Sequence, residues 1–172
     1  MMVKEELEKL GLHYVMIDLG MVDILENITQ EQHDLLKVNL AKSGLELLDD
    51  KRSVLIERIK NVIIEMVHYS DELPQVNYSE YISKKLGYDY TYLSNLFSEV
   101  KGVTIQHFII IHKIERVKEL LLYGELNLTE ISYLMQYSSV AHLSNQFKKV
   151  TGLSPTFYKL MQKKRLDNLE NI

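Results

Sequence analysis

The sequence predicts a chain in two parts. An α+β segment spans residues 1–50, and an all-α domain of about seven helices with two helix-turn-helix units spans residues 51–165, leaving a short tail at 166–172. Three observations predict this. Hydrophobic periodicity changes at Lys51, from a mixture of alternating and helical patterns to helical spacing throughout. Charge changes at the same place: residues 1–50 hold four Lys/Arg against eleven Asp/Glu (net −7), and residues 51–172 hold sixteen against thirteen (net +3), which sum to −4. Finally, "YLSNLFSEVKGVT" (Tyr92–Thr104) returns fifty residues later as "HLSNQFKKVTGLS" (His142–Ser154), identical at six of thirteen positions.

Composition sets the bounds. With 172 residues, 46% of them hydrophobic and 26% charged, the chain can bury a core of ordinary domain size. No apolar run approaches the roughly 20 residues that span a bilayer. The N-terminus is charged from Lys4 onward, which excludes the apolar core of a secretory signal. There is no Cys, hence no disulfide framework and no thiolate metal site, as fits a reducing cytoplasm. The overall negative charge excludes a general polyanion binder, while the split in charge suggests modules with different partners.

Element by element, residues 4–10 read as a helix stopped by Gly11. "HYVMIDLG" alternates as a strand, with Tyr14, Met16 and Asp18 on one face and Val15, Ile17 and Leu19 on the other. Gly20 breaks it, and "MVDIL" returns as the second arm of a hairpin. Thr29 followed by Gln32 is a capping box that opens a helix over residues 30–44. "LELLDD" is a short strand candidate. After Lys51, Leu55, Ile59, Val62, Ile63 and Met66 form one stripe at helical spacing, and a loop follows around Pro74. Gly87, Gly102, Gly124 and Gly152 then punctuate a series of short helices.

The repeat extends upstream, where "YISKKLGY" corresponds to "EISYLMQY", so each copy is a helix, a turn and a second helix. Ser83 and Ser132 are small where the paired helices cross. Leu93, Leu96 and Phe97 lie on the buried side of one second helix, and Leu143 and Phe147 on that of the other. Asp89 and Ser139 stand where an N-cap is required, and the second turn is one residue longer. The exposed positions are short and polar: Thr91, Ser94 and Asn95 in one copy, and Ala141, Ser144 and Asn145 in the other. Such residues read base edges in a major groove, where Asn can bond adenine bidentately. Between the copies, "TIQHFIIIHKIERVKELLLYG" is an amphipathic helix of about 20 residues and about 30 Å, close to the roughly 34 Å of one DNA turn. Its stripe of Phe108, Ile109, Ile111 and Ile114 reads as core.

"LTEISYLMQYSSVAHLSNQFKKVTGLSPTFYK" resembles the signature of AraC/XylS-family transcription regulators, and the resemblance covers about residues 52–165. It implies a seven-helix domain that binds promoter double-stranded DNA, with RNA polymerase as a further partner and no cofactor or metal. Carried over position by position, it assigns base reading to Thr91, Ser94 and Asn95, and to Val140, Ala141, Ser144 and Asn145. Phosphate contact falls to Lys148, Lys149 and the capping Ser139, while Pro155 and Tyr158 close the last helix. Departures are Asn95 and Asn145, where the family often has Arg, and Gln136, where Gly usually precedes the aromatic turn residue. Asp89 and Glu99 add negative charge to the first unit, which implies weaker phosphate contact there.

Residues 1–48 have the helix–hairpin–helix–strand order of a ferredoxin-like fold without its first strand, and resemble heavy-metal-associated domains that lack the CxxC loop. Without that strand the last one has no partner. Three outcomes follow: another chain supplies a strand, a homodimer through this segment among them; the segment is loosely ordered; or the reading frame begins upstream of Met1, which would allow a metal-responsive regulator. The rival for the helical part is an interaction module that keeps the scaffold without binding DNA. No paired carboxylates, phosphate loop or activated nucleophile points to an enzyme. Among the six His, only His107 and His112 lie close in sequence, and five residues on a helix turns them to different faces. Tyr88 and Tyr92 read as packing between helices, and Tyr90 is open. "QKKR" (Gln162–Arg165) fits a DNA backbone contact and a solvated charge run equally well.

Overall fold

The computed structural model describes residues 2–18, 20–48, 51–69 and 77–170. It groups into two compact units, Met1–Arg58 and Ile59–Ile172. The expected loop around Pro74, and Asp49 and Asp50 of "LELLDD", lie outside the described residues.

In the N-terminal unit α1 (Met2–Lys9), β1 (Tyr14–Asp18), β2 (Met21–Ile24) and α2 (Gln30–Ala41) follow one another. Leu7, Leu12, Leu36 and Leu40 form its core, with Tyr14, Val22, Ile24 and Leu47 packed against them. The capping box is present at the start of α2: the Gln32 N–H donates to Thr29 Oγ1, and the Thr29 N–H donates to Gln32 Oε1. Gln32 Nε2 also donates to the Leu10 carbonyl at 3.3 Å, which ties α2 to the end of α1.

Two expectations for this unit fail. The strands pair antiparallel, but the register slips between Tyr14 and Met16, so Val15 is a bulged residue and strict alternation ends there. Val15 and Met16 are consequently both exposed, while Tyr14 packs inward. Leu45–Leu48 form no strand. The physical reason is the missing neighbour, since an isolated strand has no ladder to satisfy its backbone.

The second unit is helical. α3 (Lys51–Ile64) spans the division between the units and runs into a π-helical turn, Glu65–Tyr69. Then come α4 (Tyr78–Leu86), α5 (Tyr90–Lys101), α6 (Ile105–Tyr123), α7 (Leu128–Leu134), α8 (Val140–Thr151) and α9 (Pro155–Glu170). The expected stripe of α3 is buried at Leu55, Ile59, Ile63 and Met66, and Val62 is half-buried. The π turn brings the consecutive Met66 and Val67 inward. Ile109 and Ile114 of α6 are buried, and Phe108 and Ile111 are half-buried. α9 continues through Glu170, into the segment expected as a tail. Among the described residues no helix is long and apolar enough to cross a membrane.

One contact of the helical unit joins residues far apart in sequence. His68, in the π turn, lies with Nε2 3.1 Å from Nδ1 of His112 on α6, the rings edge to face. His112 also packs on Phe108, with ring centroids 4.5 Å apart. Burial first, and His68 second, hold His112 below its ordinary value of 6.5. The unfolded chain therefore takes up a proton that the folded chain resists. This contribution to stability is complete above about pH 6.5 and is lost as pH falls through the lowered folded value. Urea unfolding between about pH 7.5 and pH 5.5 should show the wild type losing more stability on acidification than His112→Phe; equal losses would contradict the assignment.

Candidate nucleic-acid interface

The two helix-turn-helix units are α4–α5 and α7–α8. Each second helix is opened by the residue expected from sequence. Asp89 accepts from the N–H groups of Thr91 and Tyr92, and Ser139 accepts from that of His142. An N-cap fixes where the helix starts, and with it which side chains occupy the exposed first turns. Leu93, Leu96 and Phe97 of α5, and Leu143 and Phe147 of α8, are buried. These apolar positions set the rotation of each helix, so the opposite face points outward.

That outward face carries the residues singled out from sequence. Thr91 and Asn95 are exposed on α5 and Ser94 is half-buried; Ala141 and Asn145 are exposed on α8, with Val140 and Ser144 half-buried. Among the described residues the side chains of Thr91, Ser94, Asn95, Ser144 and Asn145 make no hydrogen bond. Lys148 and Lys149 are exposed in the last turn of α8 and make no ion pair among the described residues. Ser98 and Glu99 take their places on α5. The two faces therefore share a Ser–Asn pair and differ in charge.

The turns differ too. Gly87 ends α4 with φ +73°, and the Ser83 hydroxyl donates to the Tyr88 carbonyl at 2.6 Å. In the second turn the left-handed position is held by Gln136, φ +55°, the one non-glycine with positive φ among the described residues. A side chain in that region costs about 1–2 kcal/mol. Gln136→Gly should therefore raise stability by about 0.5–1 kcal/mol, read as a higher urea midpoint at unchanged slope.

The aromatic residues depart from expectation. Tyr88 and Tyr92 do not pack between helices: they are 44% and 51% exposed and stack on each other with ring centroids 5.8 Å apart. Their counterparts, Tyr137 and His142, meet edge to face at 5.2 Å, and Tyr137 is buried. The longer second turn lets Tyr137 swing under α8, where its hydroxyl donates to Gln146 Oε1 at 2.7 Å. Tyr90 is half-buried, and burial raises its phenol. Of the basic "QKKR" run, Lys163, Lys164 and Arg165 are exposed on α9. Pro155 is buried at the first position of α9, and Tyr158 packs edge to face on Phe147 at 5.5 Å. Sequence reasoning read Tyr92, the third residue of α5, as packing between helices and did not single out His142, the third of α8; that both copies pair this position with the turn aromatic was a signal present in the repeat.

Two capped, outward-facing helices joined by a 19-residue helix define a helix-turn-helix domain with a duplicated unit. The comparisons agree. Residues 82–161 match a family model described as a helix-turn-helix domain. An uncharacterised helix-turn-helix transcriptional regulator of Staphylococcus aureus is 31% identical over 113 residues, 66% of this chain and 14% of the relative. The chain thus spans about a seventh of the length of that curated relative. The C-terminal domain of AraT, a response regulator from Geobacillus stearothermophilus, aligns at 26% identity and a TM-score of 0.54, over 65% of this chain and 88% of that one. The C-terminal domain of the response regulator yesN from Fusobacterium nucleatum aligns at 32% identity and a TM-score of 0.50, over 60% and 95%. The helical unit has the fold of a helix-turn-helix domain and is similar to the domains of these regulators.

Proposed function

We propose that this chain binds double-stranded DNA in a sequence-specific manner and regulates transcription, with α5 and α8 entering successive major grooves. The observation that carries this reading is the pair of outward faces: each presents a Ser–Asn pair engaged in no side-chain bond among the described residues, on a helix whose start is fixed by a cap. α6 has 19 residues, hence about 28 Å of length, which suits helices carried about one DNA turn apart. Thr91, Ser94, Asn95, Val140, Ala141, Ser144 and Asn145 read bases, and Lys148, Lys149 and Ser139 hold phosphates. RNA polymerase is a further partner in this reading. Self-association through residues 1–50 draws support from the exposed Val15, Met16 and Leu25.

The experiment is retention of duplexes from a random pool at low salt, followed by sequencing of the retained fraction. Enrichment of a bipartite motif supports the reading; absence of any retention overturns it. The inequality of the two faces adds an expectation of its own. Glu99→Lys gives α5 the charge that Lys149 gives α8, so it should tighten binding several-fold to all duplexes and steepen the salt slope by about one. Fluorescence anisotropy across a salt series checks both.

A further inference from the structure

Lys113, on α6, is 7% exposed and the only buried Asp, Glu, Lys or Arg among the described residues. Buried ammonium groups are costly unless compensated, and here no carboxylate among the described residues does so. Instead Nζ lies 4.1 Å from the ring centroid of Tyr137 and 5.7 Å from that of Tyr78, both within cation–π range. Tyr78 opens α4 of the first unit, and Tyr137 is in the turn of the second. The Tyr137 hydroxyl then bonds Gln146 on α8, next to Asn145. One side chain of the connecting helix thus touches the first unit on one side and, through Tyr137, holds the second recognition helix on the other. The first recognition helix has no such tie: the position matching Gln146 is Leu96, and the turn aromatic Tyr88 lies 44% exposed.

We propose that Lys113 is a positioning residue that fixes the angle of α8 relative to α6 and the first unit, and so sets the spacing at which the two recognition helices meet DNA. The consequence for DNA rests on the function proposed above; the structural part does not. Burial pulls the Lys113 ammonium down to about 8.

The test has a DNA-free arm and a DNA arm, both on the full chain. The chain has no Cys, so Val100→Cys and Val150→Cys, at matching exposed positions of α5 and α8, take a pair of spin labels. Pulsed electron resonance should give one narrow distance distribution in the wild-type background. Lys113→Met should broaden it by about twofold or more, and Lys113→Arg should restore it, because guanidinium also binds aromatic faces. Tyr137→Phe keeps the ring and its volume but loses the bond to Gln146; it should broaden the distribution less, and it serves if Lys113→Met does not fold. In the DNA arm, the duplex enriched by the wild type is compared with one carrying about five extra base pairs, half a turn, between its halves. The wild type should lose about 100-fold in affinity on insertion, because the two contacts no longer act together. Lys113→Met should bind both duplexes within about twofold of each other, while matching the wild type on an isolated half-site. A wild-type distance distribution in Lys113→Met and Tyr137→Phe overturns the proposal, as does wild-type spacing dependence in Lys113→Met. If the wild type retains no duplex, the DNA reading falls and the distance measurement alone decides the clamp.

Discussion

Replacing Lys148 and Lys149 together by Ala is expected to lower affinity for every duplex by about 10- to 100-fold near 0.1 M salt, and to reduce the slope of log affinity against log salt by about two. Both residues are exposed and engage no carboxylate among the described residues, so little folding energy is at stake. They also sit in the last turn of α8, where a cation favours the helix dipole by a few tenths of a kcal/mol. That is far too small to explain a 100-fold loss through unfolding. Sequence preference should stay the same, because phosphate contacts position the protein and base contacts specify. Asn145→Ala is the informative contrast, since it should alter preference at one or two base pairs and leave the salt slope alone. Anisotropy titrations at several salt concentrations separate the two effects.

Phe147→Ala should be strongly destabilising, at about 3–5 kcal/mol. The Phe147 ring is fully buried beneath α8 and packs edge to face on Tyr158 of α9. Small domains are stable by only about 5–15 kcal/mol, so a loss of this size unfolds an appreciable fraction of molecules at moderate temperature. Leu122→Ala on α6, 50% exposed, should by comparison change stability by no more than about 0.5 kcal/mol. Urea unfolding followed by circular dichroism measures both. Near-equal midpoints would mean that Phe147 does not anchor α8.

Much of the helical unit was legible because its determinants are local. The caps at Asp89 and Ser139, the apolar positions of α5 and α8, and the glycine-ended helices all depend on residues within one or two turns of each other. The internal repeat doubled that signal, since each copy predicted the other. What escaped was set at long range. Lys113 looks like an ordinary solvent-facing lysine on an amphipathic helix until Tyr137 and Tyr78 arrive from two other elements. His68 and His112 are 44 residues apart, so spacing along the chain held no hint of their contact. In the N-terminal unit, the bulge at Val15 broke an alternation that sequence alone presents as regular. The strand expected at Leu45–Leu48 had the right composition but no neighbouring strand to pair with.

The difference between "SEVK" and "KKVT" ties the repeat to its use. The shared Leu and Phe keep the same fold in both copies, and the shared Ser and Asn lie on the outward face of both. In the proposed reading, the exchanged charges change the grip on phosphate. One domain with one strong and one weak contact can search DNA through the strong one and settle where both fit.

Hydroxyl-radical footprinting of the wild-type chain on the duplex it enriches tests the central claim most directly. Two protected patches on one face of the helix, centred about 10 base pairs apart, are expected, the stronger one lost in the Lys148→Ala, Lys149→Ala double variant. A single patch, or two patches equally affected by that variant, would contradict the entry of α5 and α8 into successive grooves.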